Sequence, residues 1–173
     1  MKKSIKKVAV LGAGIMGSRI ALHFANIGCE VLLLDMVPKE PNDAEKAKGL
    51  DVSSPIVRNR IVTDLFQAAV KASPSPIYSQ KSLTKVKVGN FDDDMVKIKE
   101  VDWIIEVVVE RLDIKQLIFE KVEKFRKPGT LITSNTSGIP IHLMAEGRSD
   151  DFKKHFCGTH FFNPPRYLRL LEI

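Results

Sequence analysis

The feature that most constrains this chain is the run Gly12-Ala13-Gly14-Ile15-Met16-Gly17. Three glycines in six residues arise by chance in loops, so the flanking sequence decides what they mean. Residues 5–11 before them read as a buried strand. Residues 15–27 after them switch to helical spacing, with Ile20, Phe24 and Ile27 on one face and Gly28 as the stop. Residues 30–34 form a second apolar strand closed by Asp35, close to the spacing of about 20 residues of a dinucleotide fingerprint. Each glycine has a physical task in such a turn. Gly12 permits the tight bend, Gly14 lets a pyrophosphate approach the backbone, and Gly17 lets the helix pack near the strand. Ala13, Ile15 and Met16 complete the turn, and the helix start offers free N–H groups and a partial positive charge.

Asp35 can accept hydrogen bonds from both hydroxyls of an adenosine ribose. A 2′-phosphate would face its carboxylate, and two unit charges about 4 Å apart repel by about 4 kcal/mol at an effective dielectric of about 20. Met36 and Val37 supply no arginine to relieve that repulsion, which points to NAD rather than NADP. FAD uses the same fingerprint and stays open, as does a glycine turn that holds nothing.

The remaining pattern fits one domain. The 173 residues are 44% hydrophobic and 28% charged, which is globular usage without wholesale disorder. No apolar run of about 18 residues exists to span a membrane. Lys and Arg total 27 against 21 Asp and Glu, a net charge of +6. That surplus suits an anionic ligand. Lys2, Lys3, Lys6 and Lys7 crowd the start, but no basic stripe interleaved with aromatics argues for nucleic acid. Cys29 and Cys157 lack CxxC partners and read as buried free thiols of a reducing compartment, hence cytoplasmic.

Residues 37–48 are polar and show no element. Ser54 and Pro55 look like the cap and first position of an amphipathic helix carrying Ile56, Val57, Ile61, Leu65, Phe66, Ala69 and Val70. Residues 73–76 break it. Strands are expected at 83–88, 103–109, 131–133, 157–162 and 168–173, and helices at 92–99, 112–125 and 139–145. Alternating β and α units predict an α/β fold, a Rossmann-type doubly wound and mostly parallel sheet. The chain stops inside an apparent strand, as one domain of a longer protein would.

Several polar groups fall just past strand ends, where a doubly wound sheet faces its ligand crevice. Ser134-Asn135-Thr136-Ser137 reaches toward a ligand there, or simply caps the next helix. His160, ending another apolar strand, is suited to take a hydroxyl proton near neutral pH, or is a packed core histidine. Glu172, among apolar neighbours, pairs with His160 across a Pro-rich turn, or faces water at a strand end. Glu106 and Glu110 flank the strand at 103–109; Glu110 with Lys115 is a surface pair at a helix start, or part of the cofactor wall.

Taken together, GAGIMG, Asp35, the Glu110…Lys115 pair after DWIIEVVVE, SNTS, and HFFNP followed by LLEI resemble the NAD-binding domain of L-3-hydroxyacyl-CoA dehydrogenases, over nearly the whole chain. The stretches SNTSGI, EGRSDDF and HFFNPPRYL resemble the microbial form fused to an enoyl-CoA hydratase-like region. The resemblance implies residues 1–173 as one Rossmann domain, without the helical C-terminal domain. It implies NAD-dependent oxidation of an L-3-hydroxyacyl-CoA in β-oxidation. His160 would be the base and Glu172 its partner, with Ser137 and Asn163 near the reacting carbon. Glu110, Lys115 and Asn135 would line the NAD site. An acyl-CoA substrate and a homodimer formed through the missing domain are further implications. Residues 36–90 depart from the family pattern, where a helical hairpin meets CoA; Arg58, Arg60 and Lys71 are candidates for its anionic nucleotide. A gulonate-type sugar-acid dehydrogenase and a crystallin-like structural protein are the alternatives.

Overall fold

The computed structural model describes residues 4–173, so Lys2 and Lys3 lie outside the described residues. The first half runs β1 (Lys7–Leu11), α1 (Ile15–Asn26), β2 (Glu30–Asp35), α2 (Asp43–Ala47), α3 (Pro55–Arg58), α4 (Arg60–Val70), α5 (Gln80–Leu83) and β3 (Val86–Asn90). A 3-10 helix (Met95–Glu100) leads to β4 (Trp103–Glu106), α6 (Leu112–Phe125), β5 (Leu131–Ser134), α7 (Ile141–Met144), α8 (Asp150–Lys154) and β6 (Phe156–Gly158). Two short strands, β7 (His160–Phe161) and β8 (Leu171–Glu172), end the chain.

Six strands make one parallel sheet in the order β3-β2-β1-β4-β5-β6. β1 pairs with β2 on one side and β4 on the other, so the strand order reverses beside β1. A crevice opens at the carboxyl ends of strands at such a reversal. Side chains alternate across β1, as a strand covered on both faces requires. Val8 and Val10 pack with Ile20, Phe24, Val62 and Phe66. Ala9 and Leu11 pack on the opposite face with Ile98, Ile118, Phe119 and Phe152. The architecture is the expected Rossmann-type α/β fold.

Several details differ from the sequence expectations. The helix after Pro55 breaks at Asn59 into α3 and α4. Val57, Val62, Phe66 and Ala69 form its buried positions, while Ile56 and Leu65 are exposed. Ser54 precedes Pro55 as foreseen, but its side chain makes no capping bond. Ile27 caps α1 and is exposed, because the helix has already left the core. Leu83 ends α5, and the strand begins only at Val86. β4 stops at Glu106, leaving Val109 exposed. The expected strand over 157–162 divides: β6 closes the main sheet, Thr159 donates its amide to the Ser134 carbonyl, and β7 turns away to pair with β8. Three short helices, α2, α5 and α8, were not foreseen. α2 is held by a capping box between Asn42 and Glu45, and α8 by Ser149 accepting from the Phe152 amide. Cys29 is buried but Cys157 only half so; both are free thiols.

Candidate active site

The glycine turn leaves β1 at its carboxyl end. Gly12 has φ +106, where a side chain is strained, and a Cβ there would stand 2.6 Å from the Val107 carbonyl oxygen. A Cβ on Gly17 would meet the Gly12 oxygen at 1.8 Å, so helix and turn touch backbone to backbone. Gly14 is the opposite case: a Cβ added there would meet nothing within 4 Å. The space above the helix start is therefore open. α1 has no acidic residue in its first turn and no side-chain cap. Its leading N–H groups and partial positive charge are unanswered within the helix. Open space over unanswered donors fits a diphosphate.

Asp35 closes this turn against β2. One carboxylate oxygen accepts the Ala13 amide at 2.6 Å and the other the Met36 amide at 2.7 Å. Each oxygen keeps a further lone pair for a ribose hydroxyl, so the expected ribose role remains open alongside a structural one. Ile15 and Met36, beside these groups, are exposed apolar side chains.

His160 and Glu172 lie directly opposite in the antiparallel β7–β8 pair. His160 Nδ1 is 2.9 Å from Glu172 Oε2. A proton on Nδ1 shared with that carboxylate leaves Nε2 as the free acceptor. The Phe162 ring lies 4.9 Å from the imidazole, centroid to centroid. Asn135, expected at the cofactor, uses its side-chain oxygen to accept the Phe161 amide at 2.9 Å, and its own amide donates to the Glu106 carbonyl at 2.8 Å. It thus ties the histidine strand to the main sheet as well as lining the cleft. Asn163 accepts from Arg19 of α1 at 2.5 Å. Arg166 donates to the Ser75 and Ile77 carbonyls and stacks its guanidinium 4.5 Å from the Tyr78 ring centroid. These contacts hold the segment after His160 against the rest of the domain.

Lys115 corrects the surface-pair alternative. Its side chain is 1% exposed, and Nζ lies 2.8 and 3.0 Å from the two Glu106 oxygens and 3.3 Å from Glu110. It stands behind the cleft wall and is absent from the residues lining it. Glu106, fully buried, also accepts the Val108 amide at 2.7 Å and the Ser134 hydroxyl at 2.5 Å. Glu110 accepts the Thr136 hydroxyl and the Ser137 and Gly138 amides. Partial burial pushes the Glu110 carboxyl up, but the Thr136 hydroxyl, the Gly138 amide and the Lys115 ammonium outweigh it and hold it at about 2. This network fastens the 134–138 loop to the end of β4. Glu106 as its hub was not legible: a glutamate inside an apolar strand was the signal, but the partner could not be named.

The cleft itself is about 430 Å³, with Met16, Glu110, Asn135, Ser137, His160 and Asn163 among its walls. An adjoining hollow of about 310 Å³ shares Ser137 and His160 and adds Glu172. The residues expected near the reacting carbon are therefore gathered. Arg58 and Arg60, expected at the CoA nucleotide, are both engaged within the domain. Arg58 holds Asp93 through two hydrogen bonds, and Arg60 pairs with Glu45 at 3.2 Å and donates to the Glu40 carbonyl. Lys71 stays exposed. Among the described residues no cluster of three or more His, Cys, Asp or Glu could hold a metal, and no helix is long and apolar enough to cross a membrane.

A glycine cradle at the reversal of a parallel sheet, closed by an aspartate on the second strand, defines a dinucleotide-binding domain of the Rossmann type. The family model described as "3-hydroxyacyl-CoA dehydrogenase, NAD binding domain" matches residues 7–173, and the chain belongs to that family; its cofactor is NAD. A Bacillus subtilis protein named probable 3-hydroxyacyl-CoA dehydrogenase is 55% identical over 100% of this chain and 22% of its own length. One of the same name from Deinococcus radiodurans is 46% identical over 98% of this chain and 45% of its own. Among solved structures, the 3-hydroxybutyryl-CoA dehydrogenase of Escherichia coli K12 superposes with a TM-score of 0.67 at 25% identity, covering 98% of this chain and 32% of that one. The chain thus spans less than half the length of these relatives.

Proposed function

We propose that this chain is the cofactor-binding part of an enzyme that oxidises L-3-hydroxyacyl-CoA to 3-ketoacyl-CoA. In this reading His160 Nε2 takes the proton of the substrate hydroxyl. Glu172 holds the ring in the productive tautomer and balances the imidazolium charge that forms. Ser137 and Asn163 position the reacting oxygen. The turn at Gly12, Gly14 and Gly17, with Asp35, seats the cofactor; Glu110 and Asn135 line its other half, and Lys115 supports Glu110 from behind. When bound, NAD supplies the acceptor for the hydrogen and electron pair that leave C3.

The observation that carries this reading is the His160–Glu172 contact on the wall of a cleft that also holds Ser137 and lies beside the glycine turn. The fold alone would not suffice, since this architecture serves many chemistries. In the complete protein a second, helical domain supplies the other wall for the acyl chain and the surface for homodimerisation, in a cytoplasmic setting. The test is reduction of acetoacetyl-CoA by NADH with the complete protein, run beside a gulonate-type sugar acid with NAD. Turnover of the thioester alone is expected. Turnover of the sugar acid alone, or NAD binding with neither reaction, would overturn the assignment.

A further inference from the structure

At the cleft wall stand three charges that do not cancel: the buried carboxylate of Glu106 and ammonium of Lys115 behind it, and the half-exposed carboxylate of Glu110 on it. Every neighbour bonded to Glu106 is a donor: the Lys115 ammonium, the Val108 amide and the Ser134 hydroxyl. That is the pattern of an ionised carboxylate. Glu110, held at about 2, is ionised as well. The remainder is one net negative charge beside the carboxyl ends of β4 and β5, part buried and part on the cleft wall. Other charges near this rim include Arg19, bonded to Asn163, the His160–Glu172 pair and the Arg111–Asp113 pair. These are partly exposed and better screened.

The topology says which half of the cofactor meets this charge. Asp35 at the end of β2 takes the adenosine side. Across the reversal at β1 the other half falls toward β4 and β5, where Glu106 and Ser134 are register partners. The nicotinamide ring is cationic when oxidised and neutral when reduced, while the rest of the dinucleotide is unchanged. We propose that the one uncancelled carboxylate charge of the Glu106–Lys115–Glu110 group makes the cleft bind NAD⁺ in preference to NADH. A protein interior transmits such a charge far better than water does. The preference biases the domain toward the oxidised cofactor that alcohol oxidation consumes. This inference rests on the NAD site of the proposed function and adds a redox selectivity to it.

The test is direct titration of the chain with NAD⁺ by calorimetry and with NADH by its fluorescence. Glu106→Gln keeps the shape and removes the charge: its amide oxygen still accepts from Lys115 and Val108 and its NH₂ donates to the Ser134 oxygen, while the 3.0 Å bond from Lys115 to the second oxygen is given up. NAD⁺ affinity is expected to fall about tenfold while NADH affinity changes less than about twofold. Glu110→Gln, at a half-exposed position where an amide oxygen can still accept from Thr136, Ser137 and Gly138, should move the ratio in the same direction, and it decides the matter if the buried variant does not fold. Ser134→Ala removes a hydrogen bond and no charge, and should leave the ratio where it was. Equal loss of both affinities in the glutamine variants, or an unmoved ratio, overturns the selectivity while the NAD site stands. Failure of the unaltered chain to bind either form removes the site, and this inference with it.

Discussion

Phe161 and His160 occupy opposite faces of one two-residue strand, and the burial of the first sets the direction of the second. Phe161 is 8% exposed and packs edge-on to Phe24 of α1 at 6.1 Å. Successive side chains in a strand point to opposite sides, so a buried Phe161 sends the imidazole outward into the cleft. Its partner in the pairing is Leu171, which leaves Glu172 facing His160. A slip of one residue would turn the imidazole toward the core.

The first prediction concerns that imidazole. His160→Gln in the complete enzyme should leave NAD binding within about threefold and cut turnover by roughly 10²–10⁴, the range general-base catalysis supplies. Glu172→Gln keeps the neutral hydrogen bond and removes the balancing charge, so a smaller loss is expected. Cofactor titration and steady-state kinetics on both variants check this. If turnover and NAD binding fall together in His160→Gln, the residue supports structure rather than chemistry.

The last two glycines of the turn separate binding from folding. At Gly14 an added side chain meets open space, so Gly14→Val should fold normally, with a melting temperature within about 2 °C, and lose NAD binding. At Gly17 the same change drives a side chain into the Gly12 carbonyl, so Gly17→Val should not give a stable domain. Thermal melts paired with NADH fluorescence distinguish them. Retained NAD affinity in Gly14→Val would remove the diphosphate from the cradle.

The legible parts of this protein were those set by local pattern. The turn, Asp35 and the alternation of strands and helices follow from spacing alone. His160 and Glu172 could be paired because two short apolar segments around a Pro-rich turn fold back on each other. Glu106 and Lys115 were not legible as a unit. A lysine is so seldom buried that Lys115 reads as a surface residue, and only the sheet brings the end of β4 under α6. Arg58 and Arg60 read as free cations for the same reason: their partners Asp93 and Glu45 are assigned by tertiary packing. The five-residue helices α2 and α8 are too short to show a hydrophobic period. Their caps, Asn42 with Glu45 and Ser149, were the usable signals.

Acid should probe Glu110. Its folded-state carboxyl titrates at about 2 against an ordinary 4.5, so the unfolded chain takes up the proton first as pH falls. The stabilisation is therefore complete above about 4.5 and is lost progressively as pH falls from there to about 2. Glu110→Gln should flatten the decline of stability across that window without abolishing it, because Asp93, Glu123 and Asp151 are also shifted downward by their partners. Urea unfolding at a series of acidic pH values reads the difference. Identical slopes for variant and parent would show that the contacts to Thr136, Gly138 and Lys115 are not kept in solution.

Lys115→Met tests the buried network as a unit of stability. Methionine fills similar volume but strands Glu106, which is fully buried and whose carboxylate would keep only the Val108 amide and the Ser134 hydroxyl. Removing one partner of a buried pair typically costs about 3–5 kcal/mol, because the remaining charge is left uncompensated. Adding Glu106→Gln to the same chain removes that stranded charge, so the double variant should regain part of the loss and be more stable than Lys115→Met alone. Such recovery is the mark of coupled residues rather than of two independent defects. Denaturant midpoints of the parent, both single variants and the double variant give the coupling. A Lys115→Met cost below about 1 kcal/mol, or strictly additive losses in the double variant, would mean that Glu106 takes a proton or reaches water when its partner is gone, and that the 134–138 loop is held by hydrogen bonds rather than by charge.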